Sequence, residues 1–251
     1  MRWWSYLLIG LGAYLLFMLI ELPAQHVLGW VSSETNKLPF SFSTVTGTLR
    51  KGKAEDVSYQ GIPLGGLRWR FKPSDLLTGS ISFDIKIRDE EQSIDGRIAR
   101  TLGGGYQLEA IKGQILATII PKILDFSQVG INGKIDLDLN HLTIENQRII
   151  SADGQIKWLN PALVQPFKLK LGNLNADLTM DEQDNVKVKI KDLGGATSVD
   201  GELSLTREGN FNLNGIIKPG ADADPGLSSA LKAIAKPQKD GSFLLNFSGN
   251  L

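Results

Sequence analysis

From Pro39 onward the chain repeats one local pattern: a glycine, a polar residue, then apolar residues on alternate positions. It reads Gly79-Ser80-Ile81-Ser82-Phe83-Asp84-Ile85, Gly133-Lys134-Ile135-Asp136-Leu137-Asp138-Leu139 and Gly154-Gln155-Ile156-Lys157-Trp158. It returns at Gly172-Asn173-Leu174-Asn175-Ala176-Asp177-Leu178, Gly201-Glu202-Leu203-Ser204-Leu205 and Gly209-Asn210-Phe211-Asn212-Leu213, with a shorter version at Gly47-Thr48-Leu49. Period-two alternation puts successive side chains on opposite faces of a strand, one buried and one solvated. Val186, Val188 and Ile190 accordingly alternate with Lys187, Lys189 and Lys191. Sheets with one solvated face are mostly antiparallel. Many units start roughly 15–20 residues apart, which suits a hairpin or a strand with its return. The expectation is a mainly β domain of many short strands, with the glycines at turns or bulges.

Two segments break the pattern. Leu227, Ala230, Leu231 and Ile234 fall at i, i+3, i+4 and i+7, one apolar stripe of a short helix. Pro225-Gly226 precede it and Pro237 is expected to end it. Leu116, Ile119, Ile120 and Ile123 share helical spacing across Leu116–Leu124, but Pro121 leaves a buried strand as the alternative. Both segments read as covers or ends for the sheet.

Before the strands lies an apolar stretch. Between Trp3 and Leu22 the clearly polar residues are Ser5 and Glu21. A helix needs roughly 20 residues to cross a hydrocarbon core, so the stretch is just long enough to span. Trp3, Trp4 and Tyr6 at one end and Trp30 beyond the other suit the two interfaces, and Gly10 and Gly12 are tolerated in such a helix. Arg2 precedes the segment and Glu21 follows it, so the positive-inside bias leaves the N-terminus in the cytoplasm and the rest across the membrane. A cleaved signal peptide is the competing reading, for which Leu22-Pro23-Ala24 is a poor small-x-small site.

Chemistry-bearing motifs are sparse. Lys and Arg number 27, as do Asp and Glu, which argues against a nucleic-acid binder and its excess of cations. With no cysteine, disulfides, thiol catalysis and thiolate zinc sites are excluded. Gly103-Gly104-Gly105 lacks the Gly-Lys-Ser/Thr ending of a phosphate loop and reads as a turn. Asp136, Asp138 and Asn140 mimic the opening of a calcium loop, but His141 and Gln147 stand at its sixth and twelfth positions. They read as the polar face of a strand. Asp222 and Asp224 sit in a turn before the helix. His26 and His141 have no serine or carboxylate at an informative spacing, although a dispersed hydrolytic site would assemble in space. Trp69 and Trp158 each end an alternating stretch, where a place in a half-buried sheet is favoured over a binding platform. No catalytic, cofactor-binding or metal-ligating residue is assigned, and no cofactor is expected.

An ordered set of short segments nevertheless runs along the whole chain. It begins with the apolar N-terminus and the proline-containing stretch behind it. Gly47-Thr48-Leu49 with Gly52-Lys53-Ala54 follows, then Leu67-Arg68-Trp69-Arg70-Phe71-Lys72-Pro73 with Leu76-Leu77 and Gly79. Gly154-x-Ile156-x-Trp158, Leu171-Gly172-Asn173-Leu174 and Gly249-Asn250-Leu251 complete it. This set resembles the protein N family of the bacterial type II secretion system; the main departure is Arg50, where that family usually carries tryptophan.

The resemblance implies a single-pass inner-membrane protein of a Gram-negative bacterium, non-enzymatic, in the apparatus that moves folded proteins across the outer membrane. Residues 1–24 would then be a cytoplasmic tip and transmembrane helix, 25–40 a periplasmic linker and 41–251 a periplasmic β-rich domain. The implied partners are other secretion subunits, of the inner-membrane platform or the secretin, and the inner membrane, with no nucleic acid. The family is also similar to AsmA-like envelope proteins, which implies a curved antiparallel sheet, a half-barrel or sandwich. Its apolar concave face, supplied here by Ile81, Phe83, Ile85, Leu137 and Leu139, could hold lipid or another amphiphile. The alternative is that these residues pack under a second layer or a covering helix.

Overall fold

The alternating segments are strands, and every pairing between described strands within each unit is antiparallel. The computed structural model describes residues 3, 4, 6, 7, 10, 11, 14, 18, 20–26, 40–123, 130–146, 148–165 and 169–250. It divides into two units, Met1–Glu90 and Glu91–Leu251.

In the first unit, β1 (Phe40–Ser41) and β2 (Thr44–Gly47) pair with opposite ends of β3 (Lys51–Tyr59). β3 pairs with β4 (Ile62–Lys72), which pairs with β5 (Ser80–Arg88) beyond a 3-10 turn at Pro73–Thr78. A register shift lies between Ala54 and Val57, where Asp56 takes φ 52°. An extra residue there lets Ala54 and Val57, three apart, both be buried. They form a core with Val45 and Ala24.

Ala24 carries the N-terminal segment into this core. Leu49 N–H donates to Leu22 O at 3.1 Å, Arg50 N–H to Ile20 O at 2.8 Å, and Pro23 bridges Thr48. Gly47-Thr48-Leu49 is thus the turn between β2 and β3, where a strand start was expected. Trp3, Trp4, Tyr6, Leu7, Gly10, Leu11, Tyr14, Met18 and Ile20 are helical. The rest of the expected span before Glu21, and residues 27–39 of the expected linker with Trp30, lie outside the described residues. Among the described residues no helix is long and apolar enough to cross a membrane.

The second unit opens with β6 (Ser93–Thr101) and β7 (Tyr106–Leu116). Ala117–Ile119 form a 3-10 turn and Ile120–Ile123 one helical turn, α1. The segment from Leu116 is therefore a strand end followed by helical turns, and Leu124 lies outside the described residues. Then come β8 (Gly130–Glu145), β9 (Arg148–Gln165), β10 (Leu169–Lys170), β11 (Leu174–Met180), β12 (Val186–Asp192), β13 (Thr197–Leu205) and β14 (Asn210–Pro219). The helix α2 (Leu227–Ile234), β15 (Lys236–Pro237) and β16 (Phe243–Asn250) close the chain. The strand order is β6-β7-β8-β9-β11-β12-β13-β14-β16-β15, with β10 beside β9.

β8 and β9 run for 16 and 18 residues, longer than the short strands expected. Bulges make that length compatible with one buried face. Leu139 pairs Gly154 and Leu142 pairs Ala152, so a shift at Asn140 keeps both leucines on one side. Gly133, Gly154 and Gly201 lie inside strands rather than at their starts, and neighbouring backbone passes closely over Gly133 and Gly154.

α2 forms where the stripe predicts it. Leu227, Ala230 and Leu231 are buried against Phe243, with Leu163, Leu171 and Ile217 around them. Burying each leucine contributes about 1.5–3 kcal/mol. Ile234, the last of the predicted stripe, is 58% exposed because the helix stops there. Ala235 is already extended, so Pro237 follows the end instead of making it.

Candidate functional site

Register turns the alternation into continuous rows across the second unit. One row runs Ile111, Leu139, Gly154, Leu178, Val188, Leu203, Leu213, Phe247. Ile111 and Leu139 are buried, Leu178 to Leu213 half-buried, and Phe247 is 43% exposed. Among the described residues α2 lies over one end of this apolar face, around Ile217 and Phe243.

The opposite face carries the matching polar row Lys112, Asp138, Gln155, Asp177, Lys189, Glu202, Asn214, Asn246. Its signs are interleaved. Lys112 Nζ lies 2.9 Å from Asp138, and Gln155 donates to Asp177 at 2.8 Å. The Gln155 amide, then Asn175, holds the Asp177 carboxyl below the ordinary aspartate range. Asp136 accepts from Gln114 at 2.6 Å and Asn140 donates to Asp153 at 2.6 Å. The three calcium-like residues are thus cross-strand partners on a sheet face. Among the described residues no group of three His, Cys, Asp or Glu could hold a metal ion.

The two tryptophans share one arrangement. Trp69 Nε1 donates to Thr48 O at 3.2 Å while its ring lies against Gly52. Trp158 Nε1 donates to Asn132 O at 3.0 Å while its ring lies against Gly133, which takes φ +116°. In each case an indole fills the space that a glycine leaves, so both belong to the half-buried sheet.

His141 shows what spacing hid. Its Nε2 is 2.6 Å from Ser151 Oγ across β8 and β9. Ten residues separate the two, and the antiparallel register brings them together. The pair ties β8 to β9, and among the described residues no carboxylate bonds the imidazole. His26 is exposed. Asp224 accepts from Gly226 N–H at 2.9 Å in the turn before α2. Gly103 to Gly105 form the β6–β7 turn, closed by Thr101 N–H to Gly105 O at 3.0 Å.

The first unit differs on its polar face. β3, β4 and β5 align Lys53, Arg68 and Lys86 in one row and Lys51, Arg70 and Asp84 in the next. These six side chains, with Thr46, line a cleft of about 640 Å³ floored by Gly47, Gly52 and Trp69. Nothing in the alternation distinguishes this face from the other polar faces; the row alignment does.

The second unit ends in an open edge. β15 pairs with β16 at Phe243 and Leu244, and among the described residues no strand lies beside β16 from Leu245 to Asn250. Gln238 N–H donates to Ser242 O, so Leu244 turns its backbone groups to β15. By alternation Asn246 and Ser248 direct theirs to the open edge, while Leu245 and Phe247 serve β14.

The second unit is thus an antiparallel sheet with one apolar face, one polar face and, among the described residues, an open edge along β16. The chain belongs to the type II secretion system protein N family: the model described as type II secretion system (T2SS), protein N, matches residues 39–246. It is 25% identical to type II secretion system protein N of Vibrio cholerae over 240 residues, 93% of each chain. Identity to the protein N of Aeromonas hydrophila is 25% over 246 residues, 96% of each. The Klebsiella pneumoniae protein N is 28% identical over 239 residues, 88% of this chain and 84% of that one. No solved structure matches the chain.

Proposed function

We propose that this chain is a non-enzymatic scaffold or assembly factor of the type II secretion system, anchored in the inner membrane by residues 1–24. Membership of the protein N family implies a role in type II protein secretion. The N-terminus is cytoplasmic, residues 25–40 link, and residues 41–251 stand in the periplasm among other secretion subunits. Anchoring confines the sheet to two dimensions and raises its effective concentration near other anchored partners.

The observation that carries the contact mode is the open edge of β16. An extended partner segment adds there as a further strand, backbone hydrogen bonds supplying much of the contact. Asn246→Pro with Ser248→Pro removes two outward N–H groups and leaves the β14 ladder intact. Crosslinking of the full chain to secretion subunits is expected to fall with this variant while thermal unfolding is unchanged. Undiminished crosslinking would remove strand addition, and normal secretion without the gene, together with no crosslink at all, would remove the scaffold role.

A second reading is favoured by the half-buried apolar row from Leu178 to Leu213. An AsmA-like curvature of this face would form a trough for acyl chains or another amphiphile. Native mass spectrometry of the purified chain tests it: co-purified lipid lost on Leu203→Glu supports the trough, and its absence removes it.

A further inference from the structure

On the polar face of β3, β4 and β5 like charges stand directly opposite one another. Cations placed directly opposite one another across a sheet are destabilising, and opposite charges are favourable. In the second unit the equivalent face obeys this rule, with Asp138 beside Lys112 at 2.9 Å and Glu202 beside Lys187 at 3.7 Å. In the first unit Lys53, Arg68 and Lys86 stand side by side on three neighbouring strands with no acid between them. The adjoining row adds Lys51 and Arg70, so five cations line the cleft with one carboxylate, Asp84. Asp84 is itself engaged by Lys72 at 3.2 Å, and Lys53 by Glu55 at 2.8 Å. Lys51, Arg68 and Arg70 are exposed and, among the described residues, form no ion pair. Since the whole chain is electrically neutral, the cluster is not a by-product of basic composition.

The position of the array says which anion it meets. Lys51 directly follows Arg50, whose N–H is bonded to Ile20 O, and Thr48 bridges Pro23. The cations therefore begin where the apolar N-terminal segment ends. That segment exposes Trp3 by 78%, Trp4 by 70%, Tyr14 by 63% and Met18 by 56%, surface that water disfavours and lipid accepts. We propose that Lys51, Lys53, Arg68, Arg70 and Lys86 form a docking face for the phosphate head groups of anionic phospholipid beside the anchor. The two guanidinium forks suit phosphate oxygens bidentately, and the lysines add point charge. The sheet would thereby be held down on the membrane surface at a second place. The location of the face rests on the anchor proposed above.

The test uses the full chain in nanodiscs of phosphatidylcholine doped with phosphatidylglycerol, with retained lipids counted by native mass spectrometry. Phosphatidylglycerol is expected to be retained preferentially. Each cation near an anionic surface is worth about fivefold, so Arg68→Gln with Arg70→Gln should cut the preference about thirtyfold. Lys187→Gln with Lys189→Gln, on the face with interleaved signs, should leave it unchanged. Both arginines are exposed, so the substitutions leave the buried core of the first unit untouched. Equal retention of the two lipids, or a preference untouched in Arg68→Gln/Arg70→Gln, would overturn the proposal. Binding of a polyglutamate peptide without any phosphatidylglycerol preference would overturn it in favour of an acidic protein. Incorporation into phosphatidylcholine alone, resistant to alkaline carbonate, reports the anchor separately. A chain that fails to incorporate, yet floats with phosphatidylglycerol vesicles in a salt-sensitive way that the double variant loses, keeps the docking face and removes the anchor.

Discussion

Arg50 Nη1 donates to Glu21 Oε1 at 3.0 Å, tying the turn between β2 and β3 to the end of the N-terminal segment. The same two stretches are joined by Arg50 N–H to Ile20 O and Leu49 N–H to Leu22 O. At this turn the chain thus has a cation with an acid in reach.

The ion pair itself is expected to add little stability. Its side chains are 59% and 35% exposed, and such pairs contribute about 0.2–1 kcal/mol. A double-mutant cycle with Glu21→Ala and Arg50→Ala should give a coupling in that range, falling with salt. Hydrogen exchange at Leu49 and Arg50 should change little in both variants, because the backbone bonds remain. A collapse of protection there would show the ion pair to be the main tie.

Gly133→Ala should destabilise the second unit by about 1–3 kcal/mol. Its φ of +116° disfavours any side chain, and a Cβ would meet Leu159 O at 2.6 Å and Trp158 Nε1 at 2.8 Å. Denaturant unfolding followed by tryptophan fluorescence measures both the loss and the displaced indole. Gly241→Ala, strained by φ +81° but with open space around it, should cost less.

Leu231→Ala should cost about 2–5 kcal/mol, since the side chain is 3% exposed between α2 and the sheet. Loosening α2 also uncovers the apolar face around Ile217 and Phe243. Increased binding of a hydrophobic dye below the unfolding transition is the readout. Unchanged dye binding would mean that the helix does not act as a cover.

Acid should weaken the β12–β13 turn. The Asp192 carboxyl is held below the ordinary aspartate range by the Val199 N–H, then by the Gly194 N–H and the Ser198 hydroxyl. A folded value below the unfolded one gives a contribution that is complete above the unfolded pKa, about 3.9. It disappears as pH falls through the lower folded value. Thermal stability should therefore drop below about pH 4, and Asp192→Asn should flatten that part of the profile while costing about 1–2 kcal/mol at neutral pH. An identical acid limb in the variant would exclude Asp192 as a contributor.

Much of this architecture was legible in the residues alone. Lys187, Lys189 and Lys191 against Val186, Val188 and Ile190 fix the two faces of β12, since period two leaves no other way to separate them. The stripe Leu227, Ala230, Leu231 specifies a helix with one buried side. Both signals are local, carried by side chains a few residues apart.

Other features depend on which strand lies beside which, and at what register. Ala54 with Val57, and Leu139 with Leu142, break the alternation in sequence yet share a face, because bulges add a residue that no spacing rule announces. His141 meets Ser151, and Asp136 meets Gln114, through pairings set by long-range contacts. Likewise, Lys53, Arg68 and Lys86 look like ordinary solvated positions one strand at a time. Alternation determines the side of the sheet to which each residue points; alignment of β3, β4 and β5 decides that three cations stand together, since charge acts across space between strands that the chain order separates.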